Sequence, residues 1–134
     1  MDAMLFDRLK QLNLPPQGFA IFGSGPLAIR GLVPLANDLD IVCRQEVWET
    51  VSSLGTFEYL PMYDVTVSTM YGGTVTFGMK WGIGDFDVEE LINTAEIIDA
   101  LPFVRLEHVI RYKQIRPSAK DLLHLDALKS SGYL

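Results

Sequence analysis

Apolar and polar positions switch period repeatedly along the chain, and each switch marks an element. Leu5, Leu9 and Leu12 recur at helical spacing, with Asp7, Arg8 and Lys10 on the rest of the turn. That pattern predicts an amphipathic helix over 3–12, ended by the Pro15-Pro16 segment. Residues 19–22, Phe-Ala-Ile-Phe, form a continuous apolar run of strand length, as in a central strand buried on both faces. Gly23-Ser24-Gly25 breaks it. Pro26 suits the first position of a short helix over 27–32, and Pro34 stops that helix. Residues 39–43 read as the next strand. A helix over 46–54 carries Val47, Trp48, Val51 and Leu54 at its spacing and is closed by Gly55.

The period then changes to two. Val65, Val67 and Thr69 alternate within a strand over 64–70, preceded by a short strand over 57–60. Gly72-Gly73 signals a hairpin, and 74–81 is the returning strand. After a loop over 82–86, Asp87 and Glu90 match a capping box for a helix through Ala95 or beyond. Residues 101–104 fit no single element. Residues 106–114 are helical, with Leu106, Val109 and Ile110 on one face. Ser118 and Asp121 match a second capping box, which opens the last helix, over 120–130. Strands fall mainly in the first half and helices at both ends. The expectation is a single α/β (α+β) domain over 1–134, with a mixed sheet of about five strands flanked by helices.

Composition narrows the setting. The chain has 134 residues, 49% hydrophobic and 21% charged, which fits one folded domain rather than a disordered chain. No apolar run approaches the ~20 residues that span a bilayer. The first residues lack the apolar core of a signal peptide, and Cys43 is the only cysteine, so no internal disulfide forms. A cytoplasmic location without membrane contact is expected. The net charge of −6 supplies no basic footprint for duplex nucleic acid. The one basic-rich stretch, 105–120, is better suited to a small anion.

Two clusters carry candidate chemistry. Asp38 and Asp40 are two apart at the start of a strand, so both carboxylates share one face. Such a pair repels itself and draws a cation, and magnesium takes one or two carboxylates together with water and phosphate oxygens. The plainer reading is a solvated loop pair in which Asp38 answers Asn37 in a turn. The second cluster is Gly23-Ser24, a glycine turn between strand and helix. Such a turn exposes N–H groups to an anion, and Ser24 adds a hydroxyl. Alone it reads as an ordinary strand–helix turn. Neither the P-loop nor the dinucleotide glycine pattern occurs.

Together, strand, Gly-Ser turn, helix and Asp-x-Asp strand, GSGPLAIRGL…NDLDIV, resemble the nucleotidyltransferase fold of the DNA polymerase beta superfamily, in its small bacterial and archaeal form. The run YKQIRPSAKDLLHLDALK is similar to the closing helix of several of its groups. The resemblance implies a nucleotidyltransferase-like core in which Gly23 and Ser24 contact nucleotide phosphates. It makes Asp38 and Asp40 the metal-binding and catalytic pair, with Mg2+ as cofactor. Lys120 and Asp121 match the family's Lys-Asp pair, which adds Lys120 to the nucleotide-binding candidates. Asp121 reads also as a plain helix cap. The implied activity is transfer of a nucleoside monophosphate from a nucleoside triphosphate to an unknown acceptor.

This chain departs from that pattern at one position. The family's third carboxylate, on a neighbouring strand, is missing, and Thr76 occupies its expected place. Without it the metal site is short of a ligand and the reaction short of a general base. The alternative reading is therefore a catalytically inactive module that binds nucleotide or a protein partner, as in a toxin–antitoxin pair. Lys113 and Arg116 are further candidates for a triphosphate or acceptor, and Lys80 faces either the site or solvent. Trp81 is either core or a base-stacking wall. His124 reads as a hydrogen-bonding residue on a helix surface, three positions from Asp121. Strand parity puts Cys43 on the face opposite the aspartates, as a buried small hydrophobe.

Overall fold

The computed structural model describes residues 4–34 and 38–134. Ala3, at the head of the expected first helix, and Asn37, before Asp38, lie outside them. The strands are β1 (Phe19–Ile21), β2 (Leu39–Cys43), β3 (Thr56–Leu60), β4 (Val65–Met70), β5 (Val75–Gly78), β6 (Glu96–Ile98) and β7 (Leu101–Phe103). They form one seven-stranded mixed sheet in the order β3-β4-β5-β2-β1-β7-β6. The helices are α1 (Met4–Gln11), α2 (Gly25–Ala28), α3 (Gln45–Leu54), α4 (Val88–Asn93), α5 (Leu106–Ile115) and α6 (Ala119–Ser130). The architecture is mixed α/β, with helices on both faces of the sheet.

The five expected strands are present, but the sheet has two more. β6 and β7 come from the stretch read as a helix end and from the segment that fitted no element. They pair antiparallel, with Ile98 opposite Leu101. Asp99 and Ala100 turn between them with φ of 51° and 67°. A two-residue turn with both φ positive is the hairpin connection usually announced by Asn-Gly or Asp-Gly. Here alanine takes the glycine's place, so the sequence carries no signal. Pro102 within the strand obscures it further, since proline cannot donate to a ladder. The helix that Asp87 opens stops at Asn93, and Asp87 accepts from the Glu89 N–H alone, with no reciprocal bond from Glu90.

Alternation along the strands sorts the core into two layers. Phe19, Ile21, Leu39, Ile41, Cys43, Val75 and Phe77 face Leu5, Phe6 and Leu9 of α1 and Val47 and Val51 of α3. Ala20, Phe22 and Val42 face Leu27, Leu91, Val109, Tyr112 and Leu128 from the helices of the other face. Burying side chains such as Phe22 and Phe77 stabilises by roughly 1.5–3 kcal/mol each. Gly55 closes α3, as the sequence predicts, with an extended φ of −108°. It is also a close approach: a Cβ there would strike Ser68 Oγ. Ser68 donates to the Val51 carbonyl at 2.9 Å and ties α3 to β4. No helix among the described residues is long and apolar enough to cross a membrane.

Candidate functional site

β1 and β2 run antiparallel, with Ile21 opposite Ile41, so the end of β1 and the start of β2 share one edge of the sheet. One residue on, the Phe22 N–H donates to the Asp40 carbonyl at 2.8 Å. The chain then turns at Gly23 with φ +60°. A Cβ at Gly23 would stand 3.0 Å from Asp40 Oδ2. The glycine turn and the second aspartate therefore meet in space. Only a residue without a side chain takes this backbone conformation readily and leaves the carboxylate room.

Ser24 is the N-cap of α2, yet its side chain makes no capping bond. Its hydroxyl lies 3.4 Å from His124 Nδ1 instead. The N–H groups of Gly23 and Ser24 make no hydrogen bond among the described residues, whereas those of Gly25, Leu27 and Ala28 all do. Two amides without a partner among the described residues, at a glycine turn, suit an acceptor, because backbone N–H groups are otherwise almost always paired.

Asp40 projects from β2 onto the face shared with Val42, away from Cys43, as parity requires. Among the described residues its carboxylate has no hydrogen bond and no ion pair. Burial, with the charge of Asp38 added, pushes it up to about 6, while Lys120 and Lys113 pull the other way. Asp38 is exposed, one residue before β2, and its charge reaches both Asp40 and Tyr112. In the parallel register of β2 and β5, Asp40 stands opposite Thr76. Among the described residues no group of three or more acidic, histidine or cysteine side chains gathers to hold a metal.

A cleft of about 350 Å³ opens on the β5 side of Asp40. Val65, Val67, Thr76 and Gly78 form its floor, on a stretch of sheet the helices leave bare. Tyr63, Trp81 and Tyr112 are among its walls, and Lys80, Arg116 and Lys120 also line it. The Trp81 ring packs on Phe22 at 4.5 Å and on Tyr112 at 5.0 Å, and its Nε1 is buried with no partner among the described residues. Trp81 thus serves as core and as cleft wall together. Lys80 does face the cleft, with Nζ 3.6 Å from Asp64.

Helix α6 begins as its sequence predicts. Asp121 N–H donates to Ser118 Oγ at 3.2 Å and Asp121 Oδ2 accepts from Ser118 N–H at 3.0 Å, a complete capping box. The same carboxylate also takes Lys113 Nζ at 3.0 Å. Burial works against the charge on Asp121, but the Ser118 N–H and Lys113 hold it below the usual carboxylate range. Burial pulls Lys113 down, opposed by Asp121. Lys113 is fully buried, so the expectation that it meets a triphosphate is corrected: it braces α6 from within. Lys120, the next-door candidate, lines the cleft with Asp40.

His124 is also corrected. It is buried, not on a helix surface, and its partner is Ser24 rather than Asp121. Burial, aided by the charges of Lys113 and Lys120, lowers it to about 4, so it is neutral near pH 7. Nothing local announces this pair, because 100 positions separate the two residues. Cys43 is buried, and burial pushes its thiol to about 12, which leaves it inert.

Of the residues singled out in the sequence, Gly23, Ser24, Asp38, Asp40 and Lys120 fall around one edge of the sheet. The exposed N–H groups of the turn were expected from the sequence, whereas the Ser24–His124 contact and the cleft were not foreseen. The chain matches no protein-family model, no curated protein and no solved structure.

Proposed function

We propose that this protein binds a magnesium nucleoside triphosphate and transfers its nucleoside monophosphate to an acceptor, as a nucleotidyltransferase-fold enzyme. One observation supports the reading: the Asp40 carboxylate, unpaired among the described residues, adjoins a Gly23-Ser24 turn whose two N–H groups also find no partner among them. A carboxylate left half-buried without a partner is costly unless a cation joins it, and free amides beside it suit the anion that a cation accompanies.

Asp38 and Asp40 fit magnesium by their donor chemistry: two carboxylate oxygen donors, one exposed enough to leave water in the shell. Bound there, the ion would supply charge neutralisation and polarise phosphoryl oxygens. The chain's own residues do the remainder. Gly23 and Ser24 hold the terminal phosphates through N–H groups and a hydroxyl. Neutral His124 fixes the Ser24 hydroxyl, and Lys120 offsets charge from the cleft side. An acceptor oxygen bonds to the α-phosphorus, the bond to the bridging oxygen breaks, pyrophosphate leaves, and the acceptor proton passes to solvent.

A second reading has its own support. Thr76 stands opposite Asp40 where a third carboxylate would complete the site. That favours a module that binds nucleotide, or a protein partner, without transfer. Incubation with magnesium and labelled ATP, CTP, GTP or UTP, with and without cell lysate, separates the two. Pyrophosphate release lost in Asp40→Asn supports transfer. Thermal stabilisation by nucleotide with no turnover supports binding alone.

A further inference from the structure

The order β5-β2-β1 gives Asp40 two different sides. On the β1 side stand Gly23 and Ser24. On the β5 side lies the 350 Å³ cleft, which shares Asp40 with the turn. In a phosphoryl displacement the attacking and leaving oxygens lie in line on opposite faces of the phosphorus. If pyrophosphate leaves toward the turn, the attacking group arrives from the cleft.

We propose that the cleft beyond Asp40 is the acceptor site, and that it takes a small hydroxyl-bearing molecule with an aromatic body and an anionic group. This rests on the nucleotidyl-transfer reading of Asp40 and the Gly23-Ser24 turn. Size favours one small molecule, since the volume sits at the lower end of the roughly 300–1,000 Å³ of ligand pockets. Tyr63, Trp81 and Tyr112 offer ring faces and edges for a flat body. The cations decide the ligand's charge. Arg116 and Lys120 line the cleft and make no ion pair among the described residues. Asp121, the acid beside them, is already neutralised by Lys113. Asp40 is the cleft's other acid, and with it engaged by the metal of the proposed function a local surplus of positive charge remains in a chain of net charge −6. The transfer joins the acceptor's hydroxyl oxygen to the α-phosphorus, and pyrophosphate departs on the turn side.

The test uses the full 15N-labelled chain, whose two tryptophans give two indole N–H signals, assigned through Trp48→Phe. It compares 4-hydroxyphenylacetate, 4-cresol and tyramine, which share a phenol and differ in charge. The anion should shift the Trp81 signal, leave that of Trp48 in place, and bind about tenfold tighter than the neutral cresol. Arg116→Gln, and separately Lys120→Gln, should each remove most of that preference, and saturating Mg·ATP should leave the anion bound. Equal binding of all three probes, no shift at Trp81, or displacement of the anion by Mg·ATP would overturn the proposal. If Mg·ATP binds nowhere while the anion still binds through Arg116, the nucleotidyl-transfer reading falls and the acceptor role with it. The aromatic-anion site then stands alone.

Discussion

Asp40 and Thr76 face each other across the parallel pair β2 and β5, one strand away from the turn that carries Gly23. A hydroxyl therefore stands where a carboxylate would give the aspartate pair a third oxygen anion. Thr76→Asp should place a like charge directly across from Asp40 and destabilise the metal-free protein by about 1 kcal/mol. Added magnesium should more than recover the loss, and a thermal melt with and without the ion reads both effects. If transfer occurs, its rate should rise in this variant.

Gly23 has φ +60°, and a Cβ there would sit 3.0 Å from Asp40 Oδ2. Gly23→Ala meets both strains at once. The expected cost is about 1–2 kcal/mol in urea denaturation. The change should also displace the carboxylate, so magnesium–nucleotide affinity should fall more than stability does.

The sign of the Asp40 effect is fixed by its shift up to about 6. The folded protein takes up the proton before the unfolded chain does, so stability falls as pH rises through the interval between the two values. Asp40→Asn should stabilise the metal-free protein near pH 8, by on the order of 2 kcal/mol. The advantage should vanish by about pH 4, where the carboxyl is protonated in the folded state. Magnesium should stabilise the parent protein above pH 6 and leave the Asn variant unchanged.

The Lys113–Asp121 pair is unequal in its surroundings. Lys113 is fully buried, while Asp121 is 9% exposed and keeps its bonds to Ser118. Asp121→Ala leaves a buried ammonium without a counter-charge and should cost about 3–5 kcal/mol. Lys113→Met leaves a carboxylate that still caps α6, so its cost should be clearly smaller. Urea midpoints of the two variants measure the difference.

How far the sequence reveals this molecule depends on whether a feature is local. The two-residue spacing of Asp38 and Asp40, the glycine turn at Gly23, and the Ser118–Asp121 cap are local, and all were legible. β6 and β7 were not, because Asp99-Ala100 makes a positive-φ turn without glycine. The Ser24–His124 contact was hidden because it joins α2 to α6 across the fold. The cleft was hidden because it is a place where helices stop short of the sheet, and periodicity records what is covered rather than what is left bare.

The account stands on the meeting of the Gly23-Ser24 turn and the aspartate pair as a site for a metal-bound triphosphate. Manganese in place of magnesium, added with a non-hydrolysable nucleoside triphosphate to the 15N-labelled chain, tests this by paramagnetic broadening. The account predicts that the amide signals of Gly23, Ser24 and Asp40 disappear first, and that those of the remote Gly72-Gly73 hairpin persist. Broadening spread evenly over exposed acids, or none at the turn, would contradict it.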